Sequence, residues 1–498
     1  MDRSAALGFL ATVLLSACFS TPIAARTITE DDLRGHIAVL SGDDFEGREP
    51  GSTGETKTIK YIADTWRKAG LKPAAKDGGW FEPVRLIRRG QGSARYRFLV
   101  GERHLRLGSN EIVLIGKEPT YSKSRMPIMF GGYGVKADGS VVDDVAGKVV
   151  LVLFDRPENA PENVQSPRAR REALVDAGAE GVIFVGDSQG NWPTLRRVHL
   201  SRPMGLESRE KRAQLEGVMS SEFVVGLVTA AGRDWDRLRQ NAKVPNYPGE
   251  ELGIEADFDV TTDVQRFDSH NVVGKIAGRK KNGGAVMYMG HWDHLGICGP
   301  EDAPDRICNG AVDNASGVAV LSEVAEVLAK RRYDRDVYFV ATTGEESGLL
   351  GAYSYADDPV FPLDEIVIML NVDTIAVAPK GAKVAIIGRG TTKLDRFVDS
   401  VAQKAGRAIE PSTEANSFIP RQDGWALAQK GVPALMVGGS FADLDLMQKF
   451  LGSEYHGPND ELTDKTELGG AAEDANLHVE LGKYFADARK YKWKKAGD

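Results

Sequence analysis

Cysteine, basic charge and long apolar runs are all scarce in this sequence. Three of its 498 residues are cysteines, so no more than one disulfide can form within the chain. The net charge of -8 leaves no basic face for nucleic acid. The N-terminal apolar run, Ala5 to Ala17, is too short to cross a bilayer as a mature helix. With 42% hydrophobic and 27% charged residues, the composition is that of a soluble globular protein, and the length predicts about two to four domains.

The N terminus predicts an export signal, because an apolar core follows a short, weakly positive segment. Ile23-Ala24-Ala25 predicts ordinary cleavage before Arg26, which we favour. Leu15-Ser16-Ala17-Cys18 resembles a lipoprotein box, in which Cys18 would carry a lipid. A buried amphipathic helix is the alternative, but no polar face interrupts the run. We therefore expect residues 1–25 to be a signal peptide, and the protein to be periplasmic or secreted, with membrane attachment only through a lipid at Cys18.

The pattern of residues 27–115 predicts two amphipathic helices, whose apolar faces would pack against a sheet. Thr29 and Asp32 stand at capping-box spacing ahead of one amphipathic helix. The breaker-rich loop 47–54 separates it from a second helix, which Gly70 stops.

Residues 116–265 predict a smaller α/β or β-rich module. Its only histidine is His199, and no carboxylate cluster stands at ligand spacing. We therefore expect the module to carry no catalytic residues, and to bind a ligand or cover another part of the chain. Residues 157–167 are predicted to be an exposed loop. A helix is predicted at 170–177. Strands are predicted at 126–135, 147–154, 179–185 and 223–228.

Residues 266–490 show the alternating pattern of an α/β sheet, and 491–498 form a basic, solvated tail. Helices are predicted at 318–330 and 472–490. Besides the apolar run that begins at Ala285, strands are predicted at 271–276, 336–341, 366–370, 384–387 and 434–437.

The apolar run that begins at Ala285 ends in His291-Trp292-Asp293-His294, as a core strand would deliver ligands to a crevice. Residues two apart on a strand share a face, so the carboxylate of Asp293 would accept the spare N–H of His291 and fix its tautomer. His294 would point the other way. A hydrogen-bonded surface histidine is the alternative interpretation of His291.

Other apolar runs lead to further ligand-type residues. Asp313 precedes a helix, where it could equally be a capping residue. Glu345 and Glu346 follow a strand and would face opposite ways, one toward a metal and the other toward water as general base. Asp373 follows another strand, and His456 lies in a tight loop. For each of these residues, the alternative interpretation is a side chain in a solvent-exposed loop that binds no metal.

Together these residues form a mixed nitrogen and oxygen ligand set that suits zinc, with a carboxylate that two ions could share. No Ser-His-Asp set and no glycine-rich phosphate loop competes with it.

The ordered set resembles the co-catalytic zinc aminopeptidase and glutamate carboxypeptidase family, and residues 116–265 resemble the protease-associated (PA) domain that many members carry as an insertion. The resemblance implies an α/β zinc exopeptidase fold, with a mixed central sheet between helices and a smaller inserted PA-like α/β domain. The peptidase domain would then comprise 27–115 and 266–490. The motifs that carry the resemblance are His291-Trp292-Asp293, Asp313-Asn314-Ala315-Ser316-Gly317, Glu345-Glu346, Asn371-Val372-Asp373 and Tyr455-His456.

The resemblance also implies a role for each residue and two zinc ions per chain. His291 and Asp373 would hold one zinc, Glu346 and His456 the other, and Asp313 would bridge them. Glu345 would be the general base, which takes a proton from water and passes it to the leaving amine, while Asp293 orients His291. A cis peptide bond is implied between Asp313 and Asn314.

One departure concerns the substrate pocket. Where members often show Ser-Asp-His, this chain has Gln422-Asp423-Gly424. Since that histidine is not a metal ligand, the chemistry is unaffected.

The resemblance implies an aminopeptidase acting on peptides. A glutamate-type carboxypeptidase remains open, with Arg389 or Arg421 to bind a terminal carboxylate. A non-catalytic, receptor-like binding protein on the same scaffold is a third interpretation.

Cys298 and Cys308 lie ten positions apart in a loop rich in glycine, proline and aspartate. In an oxidising compartment we expect a disulfide rather than two thiols. Its closure would contribute roughly 2 to 3 kcal/mol of stability. Because the loop lies between His291 and Asp313, the bridge would stiffen a wall of the site.

Overall fold

A computed structural model describes residues 26–105, 111–155, 166–186, 192–200 and 203–495 of the chain. The predicted signal peptide, most of the predicted loop 157–167 and residues 496–498 of the predicted tail lie outside the described residues. Within the described part, none of the helices combines the length and apolar character that a membrane span requires.

The helices predicted at 170–177 and 318–330 lie within a few residues of observed helices, whereas the helix predicted at 472–490 ends five residues earlier, at Phe485. The first helix of the chain has the predicted capping box between Thr29 and Asp32, and the second ends at Gly70, which is left-handed with a φ of 101°. The helices are α1 (Glu30–Leu40), α2 (Thr53–Ala69), α3 (Pro167–Asp176), α4 (Trp192–Leu200), α5 (Ser221–Ala230), α6 (Trp235–Asn241), α7 (Ser316–Ala329), α8 (Leu350–Asp357), α9 (Asp395–Lys404), α10 (Gly424–Ala428), α11 (Leu444–Ser453) and α12 (Gly469–Phe485).

The strands of the second half match the predicted pattern closely. The strands are β1 (Lys72–Pro73), β2 (Phe81–Val100), β3 (Arg103–Leu105), β4 (Ile112–Gly116), β5 (Thr120–Phe130), β6 (Val149–Leu153), β7 (Gly181–Val185), β8 (Met204–Leu206), β9 (Leu215–Met219), β10 (Glu250–Ile276), β11 (Ala285–His291), β12 (Gly296–Ile297), β13 (Ile307–Cys308), β14 (Asp336–Thr342), β15 (Ile366–Asn371), β16 (Ala385–Ile387) and β17 (Ala434–Gly438).

One predicted strand is wrong. Residues 223–228 lie in helix α5, and the strand is the preceding β9. Ser220 caps the helix by accepting a hydrogen bond from the N–H of Phe223. The buried residues Phe223, Val224, Leu227 and Val228 recur at helical spacing, which a short apolar run conceals.

A 15-stranded mixed sheet runs through the described residues, as predicted for an α/β fold, and β12 and β13 form a separate two-stranded hairpin. The main path of the large sheet is β16-β17-β15-β11-β14-β10-β5-β6-β7-β9-β4, with β1, β2, β3 and β8 attached to its side. Strands β17, β15, β11 and β14 are parallel, whereas β10 pairs antiparallel with β14. The predicted boundary after residue 265 falls within β10, which pairs with β2 along most of its length.

Both faces of the sheet around β11 are buried under helices. Val286 and Tyr288 belong to a core that includes residues of α1, α2, α7 and α12. Met287 and Met289 point to the opposite face, where α8 and α10 cover them. This arrangement explains why β11 is apolar at successive positions and carries its first ligand-type side chain only at its end, His291.

Candidate metal centre

Three neighbouring parallel strands bring their polar residues to one edge of the sheet. His291 is the last residue of β11, which lies between β14 and β15. Glu345 and Glu346 follow β14, and Asp373 follows β15. Because the carboxyl ends of parallel strands meet at the same edge, residues far apart in sequence converge there.

Asp313 reaches this edge from the irregular turn that precedes α7. The turn contains a cis peptide bond between Asp313 and Asn314, as the resemblance implied. The Asp460 carboxylate accepts hydrogen bonds from the N–H groups of Val312 and Asp313, at 2.8 and 2.9 Å. Asp313 is thereby held by its backbone, which leaves its carboxylate free to face the other polar side chains.

The two oxygens of Asp313 face different partners. Oδ1 lies 3.2 Å from Nε2 of His291, which is itself 3.4 Å from Oδ1 of Asp373. Oδ2 lies 3.4 Å from Nε2 of His456, which is 2.7 Å from Oε2 of Glu346. The five residues therefore form two sets, each with one imidazole and one further carboxylate, on either side of a shared aspartate.

The donor set fits zinc. Ligand atoms of His291, Asp313 and Glu346 lie within 4.8 Å of one another. Among the described residues, Oδ2 of Asp313 and Nε2 of His294 are buried without a hydrogen-bond partner. Imidazole nitrogens and carboxylate oxygens are ligands that zinc takes in proteins, so the unpartnered Oδ2 of Asp313 is free to coordinate it.

Charge pairing within the cluster is strong. Burial opposes protonation of His291, but Glu345 and Asp373 outweigh it and hold its pKa well above the ordinary value. For His456, burial is likewise outweighed by Asp313 and Glu346, which raise its pKa to about 10. The raised pKa values favour protonated imidazoles that balance the charge of the carboxylates, and a bound metal ion would replace the protons on the coordinating nitrogens.

Glu345 differs from its neighbour. Burial, the charges of Glu346 and Asp373, and that of Asp423 hold the pKa of Glu345 well above its usual range, with His291 opposing them. Its carboxyl group lines a cavity together with Asp313 and Asp373. A carboxylate with a raised pKa at the mouth of a ligand cluster is suited to accept and return a proton.

Asp293 contacts His291 differently from the prediction. Nδ1 of His291 lies 3.1 Å from the backbone carbonyl oxygen of Asp293, whereas the carboxylate Oδ1 is 3.8 Å away, beyond hydrogen-bond range. The strand ends at His291, so the alternation that would align the two side chains stops there. Burial raises the pKa of the Asp293 carboxyl to about 8.

The sequence prediction for His294 is wrong. Its side chain does not point away: Nδ1 lies 2.5 Å from Oε1 of Glu346 and 3.9 Å from Oδ2 of Asp313. Because His294 lies beyond the end of β11, the alternation of a strand does not govern its direction. The signal that could have found it is a second histidine so soon after His291, in a segment without regular structure.

Asn314 is a second residue that sequence reasoning missed. Its Nδ2 donates to the carbonyl oxygens of His291 and Val372, at 3.3 and 3.1 Å. Its Oδ1 accepts from the N–H of Thr374. One buried amide therefore connects the ends of β11 and β15 beside Asp313.

The cavity beside the carboxylates is lined by polar and apolar residues in nearly equal number. Besides the three carboxylates, its polar lining residues are Thr374, Arg421, Gln422 and Tyr455. Its apolar lining residues are Ile387, Phe418, Met436, Phe441, Met447 and Leu451. At the departure noted in the sequence, the Gln422 side chain accepts a hydrogen bond from the N–H of Gly424 and occupies the space where a side chain at 424 would lie.

Sequence comparisons agree with this geometry. Residues 271–477 match the model of peptidase family M28. A probable zinc metalloprotease of Pyrenophora teres f. teres is 33% identical over 132 residues, which cover 26% of this chain and 25% of that protein. The mouse aminopeptidase NAALADL1 is 24% identical over 267 residues, which cover 51% of this chain and 32% of that protein. The chain thus spans well under two thirds of these relatives.

Structural comparison shows the same fold. An aminopeptidase from Aneurinibacillus sp. strain AM-1 superposes with a TM-score of 0.55 at 20% identity, over 92% of this chain and 94% of that one. The central mixed sheet with helices on both faces is therefore the zinc aminopeptidase fold that the sequence predicted, and the chain has the fold and family signature of a zinc metallopeptidase.

Proposed function

We propose that this chain, a member of peptidase family M28, is an exported zinc exopeptidase that removes residues from the amino termini of peptides. The observation that carries the proposal is the position of Asp313, whose two oxygens face His291 and His456 separately. The names of the similar proteins, a zinc metalloprotease and two aminopeptidases, support the same activity.

Two zinc ions would be held on either side of Asp313. His291 and Asp373 would hold one ion, and Glu346 and His456 the other. Zinc in such a site supplies Lewis acidity, which lowers the pKa of water and polarises a carbonyl group. His294 contacts Glu346 and would orient that carboxylate.

Glu345 would be the general base. It would take a proton from the attacking water on its carboxylate and return the proton to the leaving amine. Its raised pKa supports this role, since a carboxylate that binds a proton more readily than usual is a better acceptor for the proton of water. Asp293 would be a positioning residue, through its carbonyl contact with His291.

Of the two arginines that could bind a terminal carboxylate, one is occupied and one leaves a rival function open. Arg389 makes a bidentate ion pair with Asp399, so its guanidinium is occupied. Arg421, however, lines the cavity beside the candidate ligands, with its guanidinium 5.3 Å from the ring of Phe418. A glutamate-type carboxypeptidase would use such a cation to bind a terminal carboxylate.

Digestion of a peptide library by zinc-loaded protein, followed by mass spectrometry, tests the proposal. We expect ladders shortened from the amino terminus, and hydrolysis of an aminoacyl anilide but not of an N-acylated dipeptide. Hydrolysis of the N-acylated dipeptide but not of the anilide, together with loss of that hydrolysis in Arg421→Gln, would establish the carboxypeptidase. Absence of hydrolysis by protein that has bound zinc would exclude both and favour a binding protein.

Residues 116–265 would form a PA-like insertion that covers part of the cleft. Arg209 supports this: it pairs with Asp357 at 2.6 Å and stacks on Tyr353, both in α8, which follows Glu345 and Glu346. A covered cleft would restrict the enzyme to short peptides, which the library digestion also measures.

Export with ordinary cleavage would remove residues 1–25. The disulfide between Cys298 and Cys308 supports an oxidising compartment. N-terminal analysis of the exported protein should give Arg26, and a lipid-modified Cys18 would establish the lipoprotein alternative.

A further inference from the structure

A left-handed turn packs directly behind the candidate metal centre. Glu46, Gly47 and Arg48 all have positive φ angles, of 50°, 62° and 53°. A Cβ at Gly47 would lie 2.5 Å from the carbonyl oxygen of Cys308 and 2.6 Å from that of Gly296, so only glycine allows this approach. The turn is thereby pressed against the disulfide-linked hairpin β12-β13.

The turn inserts the side chain of Arg48 between three segments. Arg48 is 1% exposed. Its Nε donates to the carbonyl oxygen of Trp292 at 2.8 Å, and its remaining nitrogens donate to those of Leu40, Asn309 and Gly310 at 2.7, 2.6 and 2.9 Å. All four hydrogen bonds end on backbone carbonyls, so the guanidinium holds chain positions and does not hold a carboxylate.

Three of the four bonded carbonyls flank the candidate ligands. Trp292 lies between His291 and Asp293, and Asn309 and Gly310 lead directly into the turn that carries Asp313. Burial lowers the pKa of Arg48 to about 10, and the charges of Asp460 and Asp313 oppose this, so the side chain stays cationic at neutral pH. A buried cation is costly unless its surroundings compensate it, and here the carboxylates of the centre provide the charge.

We propose that Arg48 is a positioning residue that pre-organises the metal centre. By fixing the backbone beside His291 and before Asp313, it holds both ligands in place before metal binds. This inference rests on the proposed function, since it assumes that the cluster holds zinc. Its physical basis is that a ligand already in position loses less conformational entropy on coordination.

Arg48→Lys is the most informative variant, because lysine keeps the positive charge but lacks the planar fork of donors. Removal of the positive charge would by itself strengthen the binding of zinc, whereas loss of the hydrogen bonds would weaken it. A neutral variant alone would therefore mix two opposed effects. The lysine variant isolates the hydrogen-bond geometry.

The chain offers a matched control in Arg335. It is also buried, at 2% exposure, and donates to the backbone carbonyls of Gly283, Phe485 and Tyr491. Gly283 and Arg335 lie just before β11 and β14, at the opposite ends of these strands from the ligands. Arg335→Lys therefore removes the same kind of contact from the same sheet, away from the centre.

The experiment measures zinc affinity of the metal-free proteins by competition with a chelator, together with their melting temperatures. We expect Arg48→Lys to bind zinc about 10- to 100-fold more weakly than wild type. Arg335→Lys should lower the melting temperature comparably and leave zinc affinity unchanged. Arg48→Gln is the second variant, and weaker zinc binding than in wild type is expected there too, because we expect the loss of the guanidinium hydrogen bonds to outweigh the loss of one positive charge.

Equal zinc affinity of Arg48→Lys and wild type would overturn the inference. Equal losses of affinity in the Arg48 and Arg335 variants would also overturn it, because a general loss of stability would explain both. If neither Arg48 variant folds while Arg335→Lys does, Arg48 has a structural role only. Wild-type protein that takes up no zinc would instead refute the proposed function, and the inference with it.

Discussion

The carboxylate of Asp293 accepts a hydrogen bond from the backbone N–H of Glu345, at 3.1 Å. These residues follow β11 and β14, neighbouring parallel strands that are separated by more than forty residues of sequence. The bond connects the loop that begins with His291 to the loop that carries Glu345 and Glu346. The hydrogen bond therefore links the loop of the proposed general base to the loop that carries His291.

Replacement of Glu345 by Gln should abolish most of the activity without removing zinc. The amide cannot accept the proton, so turnover should fall by about 10²- to 10⁴-fold. Metal content, measured by atomic absorption, should stay near that of wild type. Glu454→Gln is the matched control, because Glu454 is exposed and should leave turnover unchanged. Near-wild-type turnover by Glu345→Gln at equal zinc content would refute the assigned role.

Asp313 and His456 should differ in their effect on zinc stoichiometry. Because the two oxygens of Asp313 face both ligand sets, Asp313→Asn should weaken both sites. His456→Gln removes a ligand from one set and should leave about one ion per chain after dialysis. Zinc per chain is measured by mass spectrometry under native conditions. Loss of both ions from His456→Gln, or retention of both by Asp313→Asn, would contradict a bridging aspartate.

The bridge between Cys298 and Cys308 should stabilise the fold. Their Cα atoms are 5.8 Å apart, and the bridge closes the loop that contains hairpin β12-β13. Replacing both cysteines by serine should lower the free energy of unfolding by about 3 kcal/mol. Denaturant unfolding with and without reductant checks this: reductant should destabilise wild type and leave the double variant unchanged. Two thiols that alkylate readily in the native protein would contradict the bridge.

His478 should make the fold sensitive to mild acid. It is fully buried, its Nε2 donates to the carbonyl oxygen of Val437, and burial lowers its pKa to about 4. Between pH 6.5 and 4, the unfolded chain binds a proton that the folded chain does not, so stability falls as pH falls. The full loss is about 3 kcal/mol.

His478→Gln removes this titration. The difference in free energy of unfolding between wild type and variant, measured with denaturant, should therefore narrow by about 3 kcal/mol from pH 7 to pH 4. Parallel pH profiles for the two proteins would show that His478 does not contribute.

Local pattern predicted the second half of the fold well. Strands β11, β14 and β15 were identified from apolar runs that end in polar residues, and α1 from its capping box. The exception, residues 223–228, shows the limit of this reasoning. A run of six apolar residues fits a buried strand and a buried helix equally well, and the capping contact of Ser220 decides between them.

The sequence by itself determined which ligand-type residues stand at the ends of the strands, because hydrophobic periodicity and chain order are local properties. Only the tertiary structure decided how the loops beyond those ends run. It turned His294 toward Glu346, moved the carboxylate of Asp293 from His291 to Glu345, and placed Arg48 behind the centre. These contacts join residues on irregular segments, where no periodicity fixes a side chain's direction and packing against distant parts of the chain sets it.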